Sequence, residues 1–158
     1  MKNLLVLAMA LVIGFPAFSQ TNITLGGIRA DSSAPVEVAA DNLTVDQNSG
    51  TAIFTGNVVI GQGDLRLSAG RVQVMYSDAS GDIARLVASN GVTFVTATEA
   101  AEAQNATYDL TTGVLTLSGN VLLTQGASAL SAEKMTVNVN SGSAQMSGRV
   151  RTVFQQSN

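Results

Sequence analysis

The chain has no cysteine, no histidine and no tryptophan among its 158 residues, and only two prolines. Without histidine there is no imidazole base, no Ser-His-Asp triad and no histidine-bearing metal site. Without cysteine there is no thiol nucleophile, disulfide, iron–sulfur cluster or thiolate zinc site. Charge is scarce as well: Asp, Glu, Lys and Arg make up 12% of the chain, about half the ~25% of ordinary soluble proteins. Eight Lys+Arg against eleven Asp+Glu leave a net charge of -3, so the basic footprint of nucleic-acid binding is missing. Catalysis is left with carboxylates, hydroxyls and lysine. The expectation is a protein that is not an enzyme, with no catalytic residues, no cofactor and no metal.

What is present begins with an export signal. Lys2 supplies a short positive start, residues 4–15 are apolar, Pro16 breaks the run, and Ala17-Phe18-Ser19 offers small residues at both positions a signal peptidase reads. Twelve apolar residues fall short of the ~20 that span a bilayer as a helix. The reading is therefore a cleaved signal peptide over 1–19 and a periplasmic product. A retained, uncleaved anchor is the rival.

The remaining chain repeats itself. Residues 40–74 and 103–137 align without gaps, and 14 of the 35 positions are identical, among them Gly50/Gly113, Gly56/Gly119, Asn57/Asn120 and Leu67/Leu130. Inside this lies a shorter unit, Gly-x5-Gly-[Asn/Arg]-Val, at Gly50-Gly56, Gly113-Gly119 and Gly142-Gly148, with a looser copy ending at Asn90-Gly91-Val92. Periods of this length denote stacked repeats.

Within each unit apolar residues alternate with Thr, Ser, Asn, Gln or Arg, the period of a strand with one buried face. In the first copy these are Leu43 and Val45, Ala52 and Phe54, Val58 and Ile60, Leu65 and Leu67, and Val72 and Val74. The second copy has Tyr108, Leu115, Leu117, Val121, Leu123, Leu130, Met135 and Val137, with Leu86, Phe94 and Met146 in the linking and final units. Thr98-Glu99-Ala100-Ala101-Glu102-Ala103 has helix-forming composition, but no three-to-four apolar stripe, and is read as extended. The pattern predicts an all-β domain of short antiparallel strands, either a solenoid or a V-shaped roll. Few aromatics (Phe54, Phe94, Tyr108) are available to fill its interior.

Three segments carry a family likeness: Val36-Glu37-Val38-Ala39-Ala40-Asp41-Asn42-Leu43, Gly50-Thr51-Ala52-Ile53-Phe54-Thr55-Gly56-Asn57-Val58, and Leu67-Ser68-Ala69-Gly70-Arg71-Val72. Together they resemble the OstA-like domain family over residues 35–154. The resemblance implies a single β-jellyroll over 35–154, preceded by a flexible segment 20–34 and followed by a short tail 155–158. It also implies an apolar groove that carries the lipid A acyl chains of lipopolysaccharide across the periplasm for outer-membrane assembly. The groove residues it designates are the inward apolar positions, Val45, Phe54, Val58, Ile60, Leu67 and Val74, Leu86, Phe94, Tyr108, Leu115, Leu117 and Val121, and Leu123, Leu130, Met135, Val137 and Met146. Its implied partners are other OstA-like subunits of a transport bridge, LptC-type at the inner membrane and LptD-type at the outer, together with edge-to-edge self-association. For that assembly the expected edges are Val36 and Val38 at one end and Val150, Thr152 and Phe154 at the other, where unpaired backbone groups invite strand addition.

Other readings attach to the same residues. The chain fits a membrane-anchored LptC-type subunit if its N-terminal segment is retained, or a structural β-solenoid module without ligand. Arg66, Arg71, Arg85, Lys134, Arg149 and Arg151 are candidates for phosphate contact at the groove rim, but alternation puts Arg66 and Arg71 at polar positions, where a solvated outer face is the default. Asp41, Asp46 and Asp109 fall beside turns, where Asp bonds its own backbone, so they are read as turn residues rather than calcium ligands. Gly61-Gln62-Gly63 is read as a turn, and Asp64 and Glu102 as an unmarked carboxylate pair.

Overall fold

The computed structural model describes the backbone of residues 21–24 and all of residues 33–154. The signal peptide read over 1–19 and the tail 155–158 lie outside the described residues. Twelve strands follow in order: β1 (Thr21–Thr24), β2 (Glu37–Ala39), β3 (Asn42–Asp46), β4 (Thr51–Gln62), β5 (Leu65–Tyr76), β6 (Ile83–Val95), β7 (Glu99–Ala103), β8 (Asn105–Asp109), β9 (Val114–Gln125), β10 (Ser128–Asn138), β11 (Ser143–Ser147) and β12 (Arg151–Val153). All pairings are antiparallel, in one wound sheet. The Thr98–Ala103 stretch is extended, as its pattern indicated, within β7.

Five strands run to 11–13 residues, longer than the short strands the turn spacing predicted. Each is two short segments joined through a bend. Gly56-Asn57 in β4, Asn90-Gly91 in β6 and Gly119-Asn120 in β9 all take positive φ at both residues, and Gly148-Arg149 does the same between β11 and β12. Two successive left-handed residues turn the strand sharply without ending its pairing, and Gly and Asn tolerate that conformation best. Their neighbours β5 and β10 cross the bend by a register shift, at Gly70 and Glu133. There the buried positions switch from Leu67 and Ala69 to Val72 and Val74, and from Leu130 and Ala132 to Met135 and Val137. One extra residue reverses the parity of the pleat, so both segments keep their aliphatic side inward.

The bends divide the sheet into two facing halves. The first half joins β3 to the start of β4, the end of β5, the start of β6, β8, the start of β9, the end of β10, β11 and β1. The second joins β2 to the remaining segments through β7 and finishes at β12. This is the V-shaped roll, with the bends as its spine. Close packing along the spine depends on missing side chains: a Cβ on Gly56 would lie 2.5 Å from Asp41 Oδ2, and one on Gly119 2.5 Å from Gln104 Oε1.

Within the stretch 20–34 read as flexible, Thr21–Thr24 is a strand whose backbone pairs with β11 from Ser143 to Met146. The outer side of β11 offers unpaired backbone groups, and β1 supplies their partners.

Candidate functional site

Between the two halves lies one continuous apolar interior. It is almost wholly aliphatic, with Phe94 and Tyr108 as its buried aromatics. Of the predicted groove residues, Val58, Ile60, Leu67, Val74, Leu86 and Phe94 are buried here, as are Tyr108, Leu115, Leu117, Val121, Leu123, Leu130, Met135, Val137 and Met146. Phe54 is half-buried against them. Val45 differs: it is 60% exposed, and its neighbour Leu43 is 55% exposed. Both alternate inward on β3, but β3 has β4 as its one strand neighbour among the described residues, and nothing described covers that face. The roll is therefore open at its β3 end and closed further along.

The interior is filled rather than hollow. Its central cavity measures about 10 Å³, about the space of a single water. Residues from both halves line it, including Ile60, Leu67 and Phe94 on one side and Leu86, Tyr108 and Leu115 on the other, with Val36 across the end. The shortage of aromatics is met by close aliphatic packing.

The lip of the roll, farthest from the spine, is polar. Gln62 continues the inward phase of Val58 and Ile60, and is 4% exposed. Its Oε1 accepts a hydrogen bond from Tyr108 Oη at 3.3 Å, and its Nε2 donates to the Ala34 carbonyl at 3.2 Å. Burial raises the Tyr108 pKa above its ordinary value of 10.0, so the phenol stays a donor. Glu99 likewise continues the phase of Ala101 and Ala103 and is buried. Its carboxylate accepts from Thr96 Oγ1 at 2.7 Å, Thr98 Oγ1 at 2.6 Å and Gln125 Nε2 at 3.0 Å. Three donors compensate the desolvation of the buried carboxylate. Sequence reasoning placed Gln62 in a Gly61-Gln62-Gly63 turn, whereas Gly61 and Gln62 belong to β4 and the turn begins at Gly63, and it gave Glu99 no role. The available signal was a polar residue standing in phase with apolar ones.

The predicted edges lie at the two ends of the roll. β2 and β12 each have a single strand neighbour among the described residues, β4 and β10 respectively. Val36 and Val38 turn inward and pack against the core, whereas Val150, Val153 and Phe154 are exposed and Thr152 is half-buried.

The charged candidates have local roles. Arg66 donates to the Leu65 carbonyl at 2.8 Å, Arg85 pairs with Asp109 at 3.3 Å, and Arg149 pairs with Glu133 at 2.6 Å across the spine. Asp46 Oδ1 accepts from Asn48 N at 2.9 Å, and Asp109 Oδ1 from Thr112 N at 2.9 Å. The Ser49 hydroxyl and the turn amides hold the Asp46 carboxyl below its usual range, and the Thr112 amide does so for Asp109. Asp41 bonds Asn57 Nδ2 at 2.9 Å. Asp64 lies in the β4–β5 turn, while Glu102 is exposed on β7, on the face opposite buried Ala101 and Ala103.

An antiparallel sheet folded at a glycine spine over an aliphatic interior, with a polar lip and strand edges at both ends, defines a β-jellyroll. Residues 37–143 match the family described as LptA/(LptD N-terminal domain) LPS transport protein, and the chain belongs to that family. Among relatives, an uncharacterized protein of Rhizobium meliloti is 29% identical over 154 residues, covering 90% of this chain and 83% of its own. The lipopolysaccharide export system protein LptH of Pseudomonas aeruginosa is 32% identical over 73 residues, covering 46% of this chain and 41% of LptH. LptA of Escherichia coli K12 is 29% identical over 72 residues, covering 46% of this chain and 35% of LptA. The crystal structure of LptH, the LptA-homologous periplasmic component of the lipopolysaccharide transport device of P. aeruginosa, superposes with a TM-score of 0.72 at 18% identity, over 80% of this chain and 99% of that one. Fold and family together make this chain a lipopolysaccharide-transport protein.

Proposed function

We propose that the protein is a periplasmic carrier that shields the acyl chains of lipopolysaccharide between its two half-sheets, and joins end to end with related subunits to bridge inner and outer membranes. The observation that carries this reading is the aliphatic interior running from the exposed Leu43 and Val45 face to Met135 and Met146 at the other end. Acyl chains have no hydrogen-bonding groups, so aliphatic lining is sufficient to hold them. At ~0.8 kcal/mol per buried CH₂, a chain of about a dozen carbons gains roughly 10 kcal/mol gross. Ordering the chain and parting the packed halves reduce that gain, which favours reversible capture over permanent storage. Met135 and Met146, paired in register, are adaptable side chains suited to repacking around a guest.

Support for assembly comes from the edges. β2 and β12 present backbone donors and acceptors at opposite ends, and strand addition by another OstA-like domain satisfies them. The export signal read over 1–19 supports the periplasmic placement.

In-cell photo-crosslinking tests the carrier reading. A photoreactive residue replacing Phe54 or Leu117 is expected to capture lipopolysaccharide, and one replacing the exposed Glu102 is not. Capture equal at all three positions, or at none, would sink it. Truncation before Val150 is expected to impair assembly while lipid capture persists.

A further inference from the structure

The packed interior poses a mechanical problem. A cavity of about 10 Å³ admits no acyl chain, so loading requires the halves to part or a covering element to leave. The spine resists opening, because β4, β6 and β9 run through its bends as unbroken chain and are paired on either side of them. The lip is held more lightly. Tyr108 on β8, in the first half, bonds Gln62 at the tip of β4, in the second. The two residues are 46 positions apart in sequence, so the bond ties the halves together and not a local turn. The other end of the Gln62 amide holds the Ala34 carbonyl. One residue past Pro35, Val36 caps the cavity.

We propose that the Tyr108–Gln62–Ala34 chain is a clasp: it holds residues 34–36 across the lip of the unloaded protein, and the acyl chains of the cargo enter by displacing that segment. This rests on the carrier reading above. Three features support it. The bonds, at 3.3 and 3.2 Å, are long for O–H···O and at the limit for N–H···O, so they break at little cost. Both polar atoms lie in an otherwise aliphatic lining, where cargo gains nothing from them. The strap itself is anchored on its C-terminal side by just three residues of β2 pairing with β4. Short two-stranded attachment at a sheet edge is the kind of element that opens locally while the rest stays folded.

The test uses the full mature chain and purified lipopolysaccharide carrying a fluorescent acyl label. Stopped-flow loading is compared among wild type, Tyr108→Phe and Gln62→Leu, and amide exchange of residues 36–39 is followed in each. Tyr108→Phe keeps the ring, so the core stays filled. The clasp predicts loading about fivefold faster in both variants, the effect of one net hydrogen bond on a rate, with faster amide exchange at 36–39 before any lipid is added. It also predicts that wild type acquires this faster exchange when loaded. Loading at the wild-type rate in both variants overturns the clasp and leaves the carrier standing. A wild-type protein that takes up no labelled lipid overturns the carrier reading, and the clasp with it.

Discussion

Strands β3 and β8 are the same element of the repeat, 63 residues apart, and they meet opposite fates. Ala106 and Tyr108 on β8 are buried, while their counterparts Leu43 and Val45 on β3 are more than half exposed, although the first copy is the more apolar. The difference is position in the sheet. β8 lies between β6 and β9, whereas among the described residues β3 has β4 alone. Alternation tells which face of a strand is apolar; covering that face takes neighbours on both sides and a facing half-sheet. The uncovered copy marks the open end of the roll, and the covered copy supplies the lip.

The contrast is sharpest in the facing core. Leu117→Ala is expected to cost about 2–5 kcal/mol, because it empties a fully buried site. Its repeat counterpart, Phe54→Ala, is expected to cost only about 1–2 kcal/mol despite the larger side chain, since Phe54 is half-buried. Urea denaturation of the two variants checks the ratio; equal losses would mean that the β3 end is packed as tightly as the β8 end.

Glycine substitutions probe what the copies share. Gly56→Ala and Gly119→Ala both force a Cβ into a positive-φ bend and against the residue across the spine. Each is expected to cost about 1–3 kcal/mol, with near-equal shifts in thermal midpoint. A large disparity would show that the spine, like the strands, differs between the two ends. At the open face, Val45→Ser is expected to change stability by less than about 0.5 kcal/mol while weakening lipid capture. An unchanged capture yield would remove β3 from the groove.

The smallest effect concerns the turns. Asp46 and Asp109 are repeat counterparts, and both carboxyls are held below their ordinary pKa of 3.8 by turn hydrogen bonds. A depressed pKa means the folded state favours the carboxylate. The stabilisation is therefore present above the unfolded pKa and is lost as pH falls through the folded one. Asp46→Ala and Asp109→Ala should each lower stability slightly near neutral pH and match wild type in strong acid. At the other extreme, the raised Tyr108 pKa makes its contribution full below pH 10.0 and lost above it. Alkali should then destabilise wild type more than Tyr108→Phe.

Much of this molecule was legible from its residues. The glycine repeats marked the places where the chain bends or turns, and the period of two picked out the interior side of nearly every strand. Three things escaped. The long strands read as short ones, because a Gly-Asn bend resembles a chain-reversing turn in sequence yet lets pairing with the same neighbour resume beyond it. The exposure of Val45, in contrast to its buried counterpart Tyr108, went unseen, because repeat equivalence carries no statement about edges. The polar lip went unseen, because Gln62 closes β4 and Glu99 opens β7, and a polar residue at a strand terminus reads as the neighbouring turn.

Sequence alone determined what is decided by a residue and its immediate neighbours. The bends, the turn carboxylates and the inward side of each strand all follow from dihedral preferences and side-chain alternation. The scarcity of charge and the lack of histidine and cysteine removed most chemistry on the same local grounds. Tertiary structure decided which inward faces are covered, where the interior is shut, and that Tyr108 meets Gln62. Those depend on strands brought from distant parts of the chain, and burial is a property of the neighbours a residue acquires.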